Sequence, residues 1–573
     1  MRRRVVSSLP STGVGFGRRV ARNSWAPAPQ MRLHPVSVSA RHLASTIAQP
    51  LSESTFGILD RMMQIEEPAE EVARDSRLPG RVLSVAAGIA RVALPGSVSL
   101  GGAVRFDGCD CLGVIVGFDR QGALVALLSG TQPRLGAEAR CIGEAVLRSP
   151  GVASSGGDDR RLSFTTPTGL LEAHPIATAE GKALTTRSKS DALLRLPSPP
   201  MISLRNPATE RLPSGLAAVE IVAPLAQGHR IGFTGAANTG KTRAAEMLMR
   251  SQPADTICVY AALRPEARLR AALSRNVGAD AEIPKTIVVH ADPAQSSTAE
   301  QYLVPLCAAH IAQRLLREHS KVLLVLDDVV HMLDVESHLA AAPFPMAQVV
   351  TSALEMAAST EQASLTALAV VDVETDDELP RSVQQLWRSI EPSLDVHVEF
   401  SSKLASEGVL PAIDLNSFLL GGFPAPFQSP LMRMLRAEVV TRLQSTRELL
   451  YRSSMRKQLG LQLEVDEEED ANSASVQSAL LSHAQARPLP ELVVIATAAL
   501  VYHFPTQRPN PTAVAAFQDA VVSVVQQQHE GIWKLLCVMD SLKEADAQRL
   551  LLDLGQALLR HRMEFQLARP ELL

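Results

Sequence analysis

The sequence of 573 residues lacks the features that mark several large classes of protein. No apolar run reaches the roughly 18 residues that a membrane-spanning helix needs. The net charge of −4 provides no excess of basic groups for the phosphate backbone of a nucleic acid. With 46% hydrophobic and 20% charged residues, the composition is that of a soluble globular protein, and the length predicts two to four domains.

The cysteines lack the spacing of zinc ligands. We predict that they are reduced thiols in apolar surroundings. Cys109 and Cys111 flank Asp110 on a strand or turn, where a structural role is favoured over a metal or redox role. The six cysteines are Cys109, Cys111, Cys141, Cys258, Cys307 and Cys537.

Residues 1–52 contain no aspartate or glutamate, but they carry eight arginines and eight serines. This composition is typical of a mitochondrial transit peptide, with a plausible processing region at residues 41–46. The segment would then be removed from the mature protein. A disordered basic tail that binds an acidic partner has the same composition and stays open as the alternative.

The most informative segment is GAANTGKT at residues 235–242, a complete G-x-x-x-x-G-K-[ST] phosphate-binding loop, the Walker A motif. Its glycines let the backbone amides point at a polyphosphate, Lys241 reaches the outer phosphates, and the Thr242 hydroxyl binds magnesium. A strand-like run at 229–234 and a helix-forming run at 243–250 supply the flanks that such a loop requires. The predicted nucleotide-binding residues are Gly235, Asn238, Thr239, Gly240, Lys241 and Thr242.

A second motif, KVLLVLDD at residues 321–328, is an apolar run that ends in carboxylates. It predicts a strand buried on both faces, with Asp327 at its C-terminal end holding magnesium together with Thr242. Buried strands that end in aspartate are common, so this motif alone would favour a purely structural interpretation. The phosphate-binding loop upstream reverses that preference.

Composition and periodicity change along the chain in a way that predicts three folded domains. Residues 80–147 form short apolar runs separated by glycine, as in a small β-barrel or sandwich. Alternating strands and helices then predict an α/β domain with a mainly parallel sheet, followed by a helical bundle. The predicted segments are 1–52 transit peptide, 53–77 helical segment, 78–148 barrel, 149–200 linker and lead-in, 201–425 nucleotide domain and 426–573 helical bundle.

Several short sequence segments resemble those of the alpha and beta subunits of F-type ATP synthase and occur in that family's order. Their residues are more similar to those of alpha. The resemblance covers most of residues 78–420 and implies a RecA-like nucleotide domain between a barrel and a helical bundle. The segments are GRVLSVAAGIARV (80–92), ISLRNP (202–207), GLAAVEIVAPLAQGHR (215–230), CVYAAL (258–263), KTIVVHAD (285–292), QYLVP (301–305), SLTALAVVDV (364–373) and GVLPAIDL (408–415).

The resemblance implies a non-catalytic subunit that binds ATP and Mg²⁺ through Lys241, Thr242 and Asp327. Such a subunit alternates with beta subunits in a hexameric head, contacts other head and stalk subunits, and supports proton-driven ATP synthesis. It would lie on the matrix face of the mitochondrial inner membrane, peripheral to the bilayer and without nucleic acid. Independent ATPase activity is not expected of it.

Two positions depart from the family pattern. Pro265 stands where catalytic members carry the glutamate that polarises water. Side chains one residue apart point in different directions, so the neighbouring Glu266 is not expected to replace that glutamate. Alpha subunits also lack that glutamate. Gly421 stands where alpha subunits carry an arginine that reaches the neighbouring catalytic site, and residues 410–432 contain no arginine. We hypothesise that one of Arg433, Arg436 and Arg442 replaces it.

Two further departures follow. The loop at 338–348 is shortened, and residues 453–456 lack the QFG-like motif that lies on the adenine side of the nucleotide in the family. The departures, Gly421 above all, keep a second interpretation open: an alpha-derived paralogue that acts in assembly or as an interaction protein, without completing catalytic sites. A third class, a ring translocase on RNA, needs basic and aromatic stacking positions in the barrel. Residues 80–147 contain only Phe106 and Phe118 as aromatics and no lysine, which disfavours that class.

Overall fold

The computed structural model describes most of the chain after residue 78. The described residues are 79–95, 98–128, 132–147, 162–174, 196, 210–263, 285–294, 296–360, 362–373, 380–415, 427–459, 486–501 and 511–568. The predicted transit peptide (1–52) and helical segment (53–77) lie outside them, as do Pro265, Glu266 and Gly421.

The strands fall into two sheets. In chain order they are β1 (Gly80–Ala86), β2 (Ile89–Ala93), β3 (Gly102–Phe106), β4 (Leu112–Asp119), β5 (Gly122–Leu127), β6 (Glu138–Leu147), β7 (Leu162–Thr165), β8 (Leu171–His174), β9 (Arg230–Gly235), β10 (Thr256–Ala262), β11 (Lys285–His290), β12 (Lys321–Leu326), β13 (Ala358–Ser359), β14 (Ser364–Asp372) and β15 (Val396–Phe400).

The α-helices follow the same order. They are α1 (Pro167–Leu170), α2 (Ala217–Val222), α3 (Lys241–Arg250), α4 (Thr298–Leu315), α5 (Val329–Ser337), α6 (Met346–Glu355), α7 (Arg381–Ile390), α8 (Ser402–Ser406), α9 (Pro430–Gln458), α10 (Leu489–Val501), α11 (Pro511–Gln528), α12 (Glu530–Cys537) and α13 (Glu544–Ala568).

The first six strands form a closed barrel in the order β1-β2-β5-β4-β3-β6. Closure comes from antiparallel pairing of β6 with β1, where Gly80 lies opposite Ala139. Alternate residues point inward, so Val92, Ile115 and Val125 fill the interior. The sequence allows a barrel or a sandwich, and the structure has the barrel, which leaves none of these six strands as an open edge.

The segment 162–174 joins the two sheets. β7 pairs in parallel with β11 of the nucleotide domain, whereas β8 pairs antiparallel with β6 of the barrel. Both strands lie inside the stretch 149–200 that the sequence predicts as linker and lead-in. A further contact lies close by, because the Ser297 hydroxyl donates a hydrogen bond of 2.5 Å to the Leu127 carbonyl of the barrel. Ser297 also caps the N-terminus of α4.

The nucleotide domain contains a parallel sheet in the order β15-β9-β14-β12-β10-β11-β7, with the short β13 antiparallel to β14. Its central strands β10, β12 and β14 are almost wholly buried, as expected for apolar runs covered by helices on both faces. In this arrangement the C-terminal ends of β9, β14, β12 and β10 lie side by side. Side chains that follow those ends therefore meet at one edge of the sheet.

The C-terminal helices share a hydrophobic core with one face of this sheet. Leu435 of α9 and Leu492 of α10 belong to the same buried cluster as Phe233 of β9 and Leu248 of α3. The most apolar of these helices, α10, has only 13 residues. Among the described residues, no helix has both the length and the apolar character required to cross a bilayer.

All six cysteines are free thiols, in agreement with the sequence. Burial raises the pKa of Cys111 to about 11 and that of Cys258 to about 12, so both remain protonated and unreactive at neutral pH. The prediction of apolar surroundings is wrong for Cys537, which is exposed at the end of α12. Its position on an amphipathic surface helix explains the difference, because spacing alone does not say which face a residue occupies.

Candidate nucleotide site

The phosphate-binding loop connects β9 to α3 and has a conformation that requires its two glycines. Gly235 has a φ of 143°, and a Cβ atom there would lie 2.3 Å from the Phe400 carbonyl oxygen. Gly240 has a φ of 89°, and a Cβ atom there would lie 3.0 Å from Pro411 Cα. Both values of φ fall in the region that residues with a side chain rarely adopt. The glycines therefore fix the path of the loop against β15 and the segment after α8.

The middle of the loop is held by local hydrogen bonds. Asn238 has a φ of 63°, a left-handed conformation that asparagine tolerates better than most residues. The Thr239 hydroxyl donates to the Ala236 carbonyl at 2.8 Å, and the Thr239 carbonyl accepts from the Ala412 amide at 3.0 Å. Asn238 and Thr239, both predicted as nucleotide-binding residues, thus lie at the turn of the loop.

Lys241 begins α3 and is buried, with an exposed fraction of 4%. Its ammonium group donates to the Gly235 carbonyl at 2.8 Å, to the Ala236 carbonyl, and to Thr239 Oγ1 at 3.3 Å. It also forms an ion pair of 2.9 Å with Asp372 Oδ1. The side chain therefore folds back across the phosphate-binding loop, and its ammonium group lies on the inner side of the loop, between the loop carbonyls and Asp372.

Asp372 is a site residue that sequence reasoning did not single out. It is the last residue of β14, and in the register of the parallel pair it lies opposite Gly235 of β9. The available signal was a carboxylate at the end of an apolar run, SLTALAVVD, the same pattern that identified Asp327. What the sequence does not give is the strand order that puts β14 beside β9.

Asp327 follows β12 and is 6% exposed. Its Oδ1 atom accepts hydrogen bonds from Thr242 Oγ1 at 3.2 Å and from the Asp328 amide at 2.9 Å. Its Oδ2 atom accepts a hydrogen bond from the Tyr260 hydroxyl of β10. The structure thus brings together Thr242 and Asp327, the two predicted metal ligands, which are 85 residues apart in the sequence.

Burial raises the pKa of Asp327 to about 6, and the neighbouring Asp328 carboxylate acts in the same direction. Hydrogen bonds from Tyr260 and Thr242 oppose the shift, because they favour the ionised form. A buried carboxylate of this kind is stabilised by a nearby cation.

The remaining predicted features lie on α9 or in the connection between α5 and α6. Arg433, Arg436 and Arg442 are all on α9, and burial lowers the pKa of Arg436. The shortened loop around 338–348 runs from the end of α5 to the start of α6. It is fixed by Tyr302, whose hydroxyl donates to the Phe344 carbonyl at 2.6 Å. Residues 453–456 lie within α9.

The arrangement fits a polyphosphate with a hard divalent cation. The loop amides, the N-terminus of the ten-residue helix α3 and the Lys241 ammonium supply positive potential for an anion. Thr242 and Asp327 supply hydroxyl and carboxylate oxygens, the donor types that Mg²⁺ prefers. Binding and orientation of a nucleoside di- or triphosphate is the chemistry that these residues support.

A parallel sheet with a phosphate-binding loop at its C-terminal edge, an N-terminal closed barrel and C-terminal helices together define a RecA-like nucleotide-binding protein. Residues 215–418 match the family model described as ATP synthase alpha/beta family, nucleotide-binding domain. The matched region includes the loop, Asp327, Tyr260 and Asp372. It supports the resemblance drawn from the sequence at the level of an alpha- or beta-type subunit that binds nucleotide.

The raised pKa of Asp327 leads to a prediction about pH and stability without ligand. Between pH 4 and pH 6 the folded chain holds a proton that the unfolded chain has released, so stability falls as the pH rises through this window. The shift from 3.8 to about 6 corresponds to roughly 3 kcal/mol at 1.36 kcal/mol per pH unit. The melting temperature of wild type should therefore fall between pH 4.5 and pH 7. We expect a smaller fall over the same pH range for Asp327→Asn, which cannot ionise at this position.

Asp119 provides the control of opposite sign. Hydrogen bonds from the Gln121 amide and from Arg91 lower the pKa of this exposed carboxyl, so its contribution to stability appears above its unfolded pKa and is lost towards acid. Asp119→Asn should leave the decline between pH 4.5 and pH 7 in place. Identical pH profiles for wild type and Asp327→Asn would contradict the interpretation.

Proposed function

We propose that this chain is a non-catalytic, ATP-binding alpha subunit of the mitochondrial proton-translocating ATP synthase. In this role it alternates with beta subunits in the head of the enzyme and supports ATP synthesis indirectly. The observation that carries the proposal is the combination of the Lys241 loop with the Thr242–Asp327 oxygen pair, inside the region 215–418 that is similar to ATP synthase subunits.

The residues of the chain divide the work of binding. Lys241 and the loop amides hold the phosphates, and Asp372 keeps the ammonium group on the inner side of the loop. Thr242 and Asp327 would hold Mg²⁺ with ATP, and the ion would neutralise phosphate charge. The Gly235 carbonyl and Asp372 thus restrict the Lys241 ammonium group, which would limit the side-chain entropy lost on phosphate binding.

The sequence supports binding without hydrolysis. Pro265 cannot act as a general base, and this position also lacks the glutamate in alpha subunits. In a ring of this plan, catalysis at the neighbouring site would also need a positive charge from across the interface. Gly421 offers none, and an interface arginine of this kind contributes about 10³- to 10⁵-fold in rate.

The same absence at Gly421 favours a second candidate function. An alpha-derived paralogue would keep the fold, with or without the nucleotide, but would act in assembly or as an interaction protein that no longer completes catalytic sites. The intact Lys241, Thr242 and Asp327 contacts favour the first candidate over a paralogue that has lost the nucleotide, because such a protein has no use for a buried lysine in a phosphate-binding loop. The mitochondrial location in both candidates rests on the composition of residues 1–52.

The test is gentle affinity purification of the tagged full-length chain from mitochondria, with mass spectrometry of its partners and quantification of bound nucleotide. We expect beta, gamma and peripheral-stalk subunits in fixed ratio to the chain, with ATP and magnesium retained. Recovery without beta, or in trace amounts relative to it, would support the paralogue instead.

A deletion of residues 1–52 is the matched control for location. The shortened chain should be absent from the protease-protected fraction of mitochondria, whereas the full-length chain is present. Import of both forms in equal amounts would contradict the assignment of residues 1–52 as a transit peptide.

A further inference from the structure

Tyr260 is a buried tyrosine at the centre of the parallel sheet, with an exposed fraction of 2%. Phenylalanine would fill the same apolar space without a hydroxyl group that needs a partner in the interior. Here the partner is the carboxylate of Asp327, to which the hydroxyl donates a hydrogen bond. The polar end of Tyr260 is therefore directed at a predicted ligand of the cation.

The position of Tyr260 follows from the pairing of β10 with β12. Tyr260 lies opposite Val325, two residues before Asp327, and the Asp327 amide donates to the Ala261 carbonyl at 2.9 Å. The backbone and side chain of Asp327 are thus both fixed to β10. Because both strands are central and buried, the tyrosine ring has little freedom to move.

The two carboxylate oxygens of Asp327 have different hydrogen-bond partners. Tyr260 occupies Oδ2, whereas Oδ1 lies 3.2 Å from the Thr242 hydroxyl. A carboxylate turns readily about its terminal bond unless donors at fixed positions hold it. Tyr260 therefore selects the orientation in which Oδ1 lies beside Thr242, the other oxygen that would contact the ion.

We propose that Tyr260 is a positioning residue for the magnesium ion of the bound nucleotide, acting through Asp327. The proposal rests on the function proposed above. Residues that orient metal ligands typically contribute 10- to 100-fold to metal affinity. The Tyr260 hydroxyl donates to Asp327, whereas the loop lysine contacts Gly235, Ala236, Thr239 and Asp372, so we expect the effect of Tyr260 on the cation rather than on the nucleotide.

The test uses the full-length chain with Tyr260→Phe and measures the dissociation constant of ATP by calorimetry, once in MgCl₂ and once in EDTA. The ratio of the two constants is the magnesium enhancement. We expect the variant to lose about 10-fold of this enhancement, while the constant in EDTA changes less than about twofold. Binding of Mn²⁺ in saturating ADP, followed by electron paramagnetic resonance, should weaken in parallel.

Tyr302→Phe is the matched control. Tyr302 is equally buried, and its hydroxyl also has a partner, the Phe344 carbonyl on the connection between α5 and α6. Removing that hydroxyl costs the fold a similar hydrogen bond but should leave the magnesium enhancement unchanged. A purely structural role of Tyr260 predicts that both variants lower the melting temperature and neither changes the enhancement, which would overturn the proposal.

A second variant and a double substitution separate the remaining outcomes. Tyr260→Met also lacks the hydroxyl and fills irregular apolar space, so it replaces Tyr260→Phe if that variant folds poorly. In an Asp327→Asn background, Tyr260→Phe should have no further effect on the enhancement, and a full effect there would contradict action through Asp327. Wild type that binds no ATP in either buffer would overturn the proposed function, whereas enhancement that survives Tyr260→Phe overturns this inference alone.

Discussion

Replacement of Lys241 by alanine is expected to abolish useful nucleotide binding. The Lys241 side chain is 4% exposed, and its ammonium group lies within 2.9 Å of both the Gly235 carbonyl and Asp372 Oδ1. Its removal takes away the positive charge that would contact the phosphates and leaves Asp372 to repel them. We expect the dissociation constant of ATP to rise at least about 100-fold, or ~2.7 kcal/mol, by calorimetry at pH 7.5.

Lys321→Ala is the control with the same change in charge. Lys321 is at the opposite end of the sheet, at the start of β12, where it forms ion pairs with Glu210 and Asp255. ATP affinity should stay within about twofold of wild type, because surface pairs of this kind contribute little. Retained ATP affinity in Lys241→Ala would show that the loop is not the nucleotide site.

Replacement of Gly235 by alanine is expected to damage both the fold and the site. The new Cβ atom would lie 2.3 Å from the Phe400 carbonyl oxygen and 2.9 Å from Phe400 Cβ, in a backbone conformation with a φ of 143°. Gly235 and Phe400 are paired residues of neighbouring strands, so relief of the clash would displace β15 from β9. The expected loss is roughly 2–4 kcal/mol in the free energy of unfolding, together with loss of ATP binding.

Gly531→Ala is the control for an added methyl group. A Cβ atom at Gly531 of α12 would have no neighbour within 4 Å, and alanine favours a helix over glycine by about 1 kcal/mol. Urea denaturation should therefore find this variant as stable as wild type or more stable. If Gly235→Ala unfolds at the wild-type urea concentration and still binds ATP, the described loop conformation is not the one required.

The parts of the site that could be predicted from the sequence are those carried by contiguous residues. The loop, its flanking strand and helix, and the carboxylate at the end of β12 are each encoded within about ten residues. Tyr260 and Asp372 were missed because their roles depend on strand order. The strand order β9-β14-β12-β10 brings Asp372 beside Lys241 and Tyr260 beside Asp327, and the amino-acid sequence does not specify that order.

The same limit applies to the rest of the fold. Short apolar runs between glycines predict the barrel strands, but closure depends on the pairing of β1 with β6, whose sequences are more than 50 residues apart. β7 was assigned to a linker because four residues are too few for a clear periodicity. Its place at the edge of the nucleotide sheet follows from the register with β11, which no local pattern specifies.

The core that the C-terminal helices share with the nucleotide domain has a consequence for how the chain folds. Leu431 and Leu435 of α9 pack in one cluster with Val398 and Phe400 of β15, and Phe400 is the residue that abuts Gly235. A fragment that ended before α9 would leave this apolar surface to water and loosen the strand that supports the loop. The motifs separate a nucleotide domain from a helical one near residue 425, but the shared core predicts that the two unfold together rather than independently.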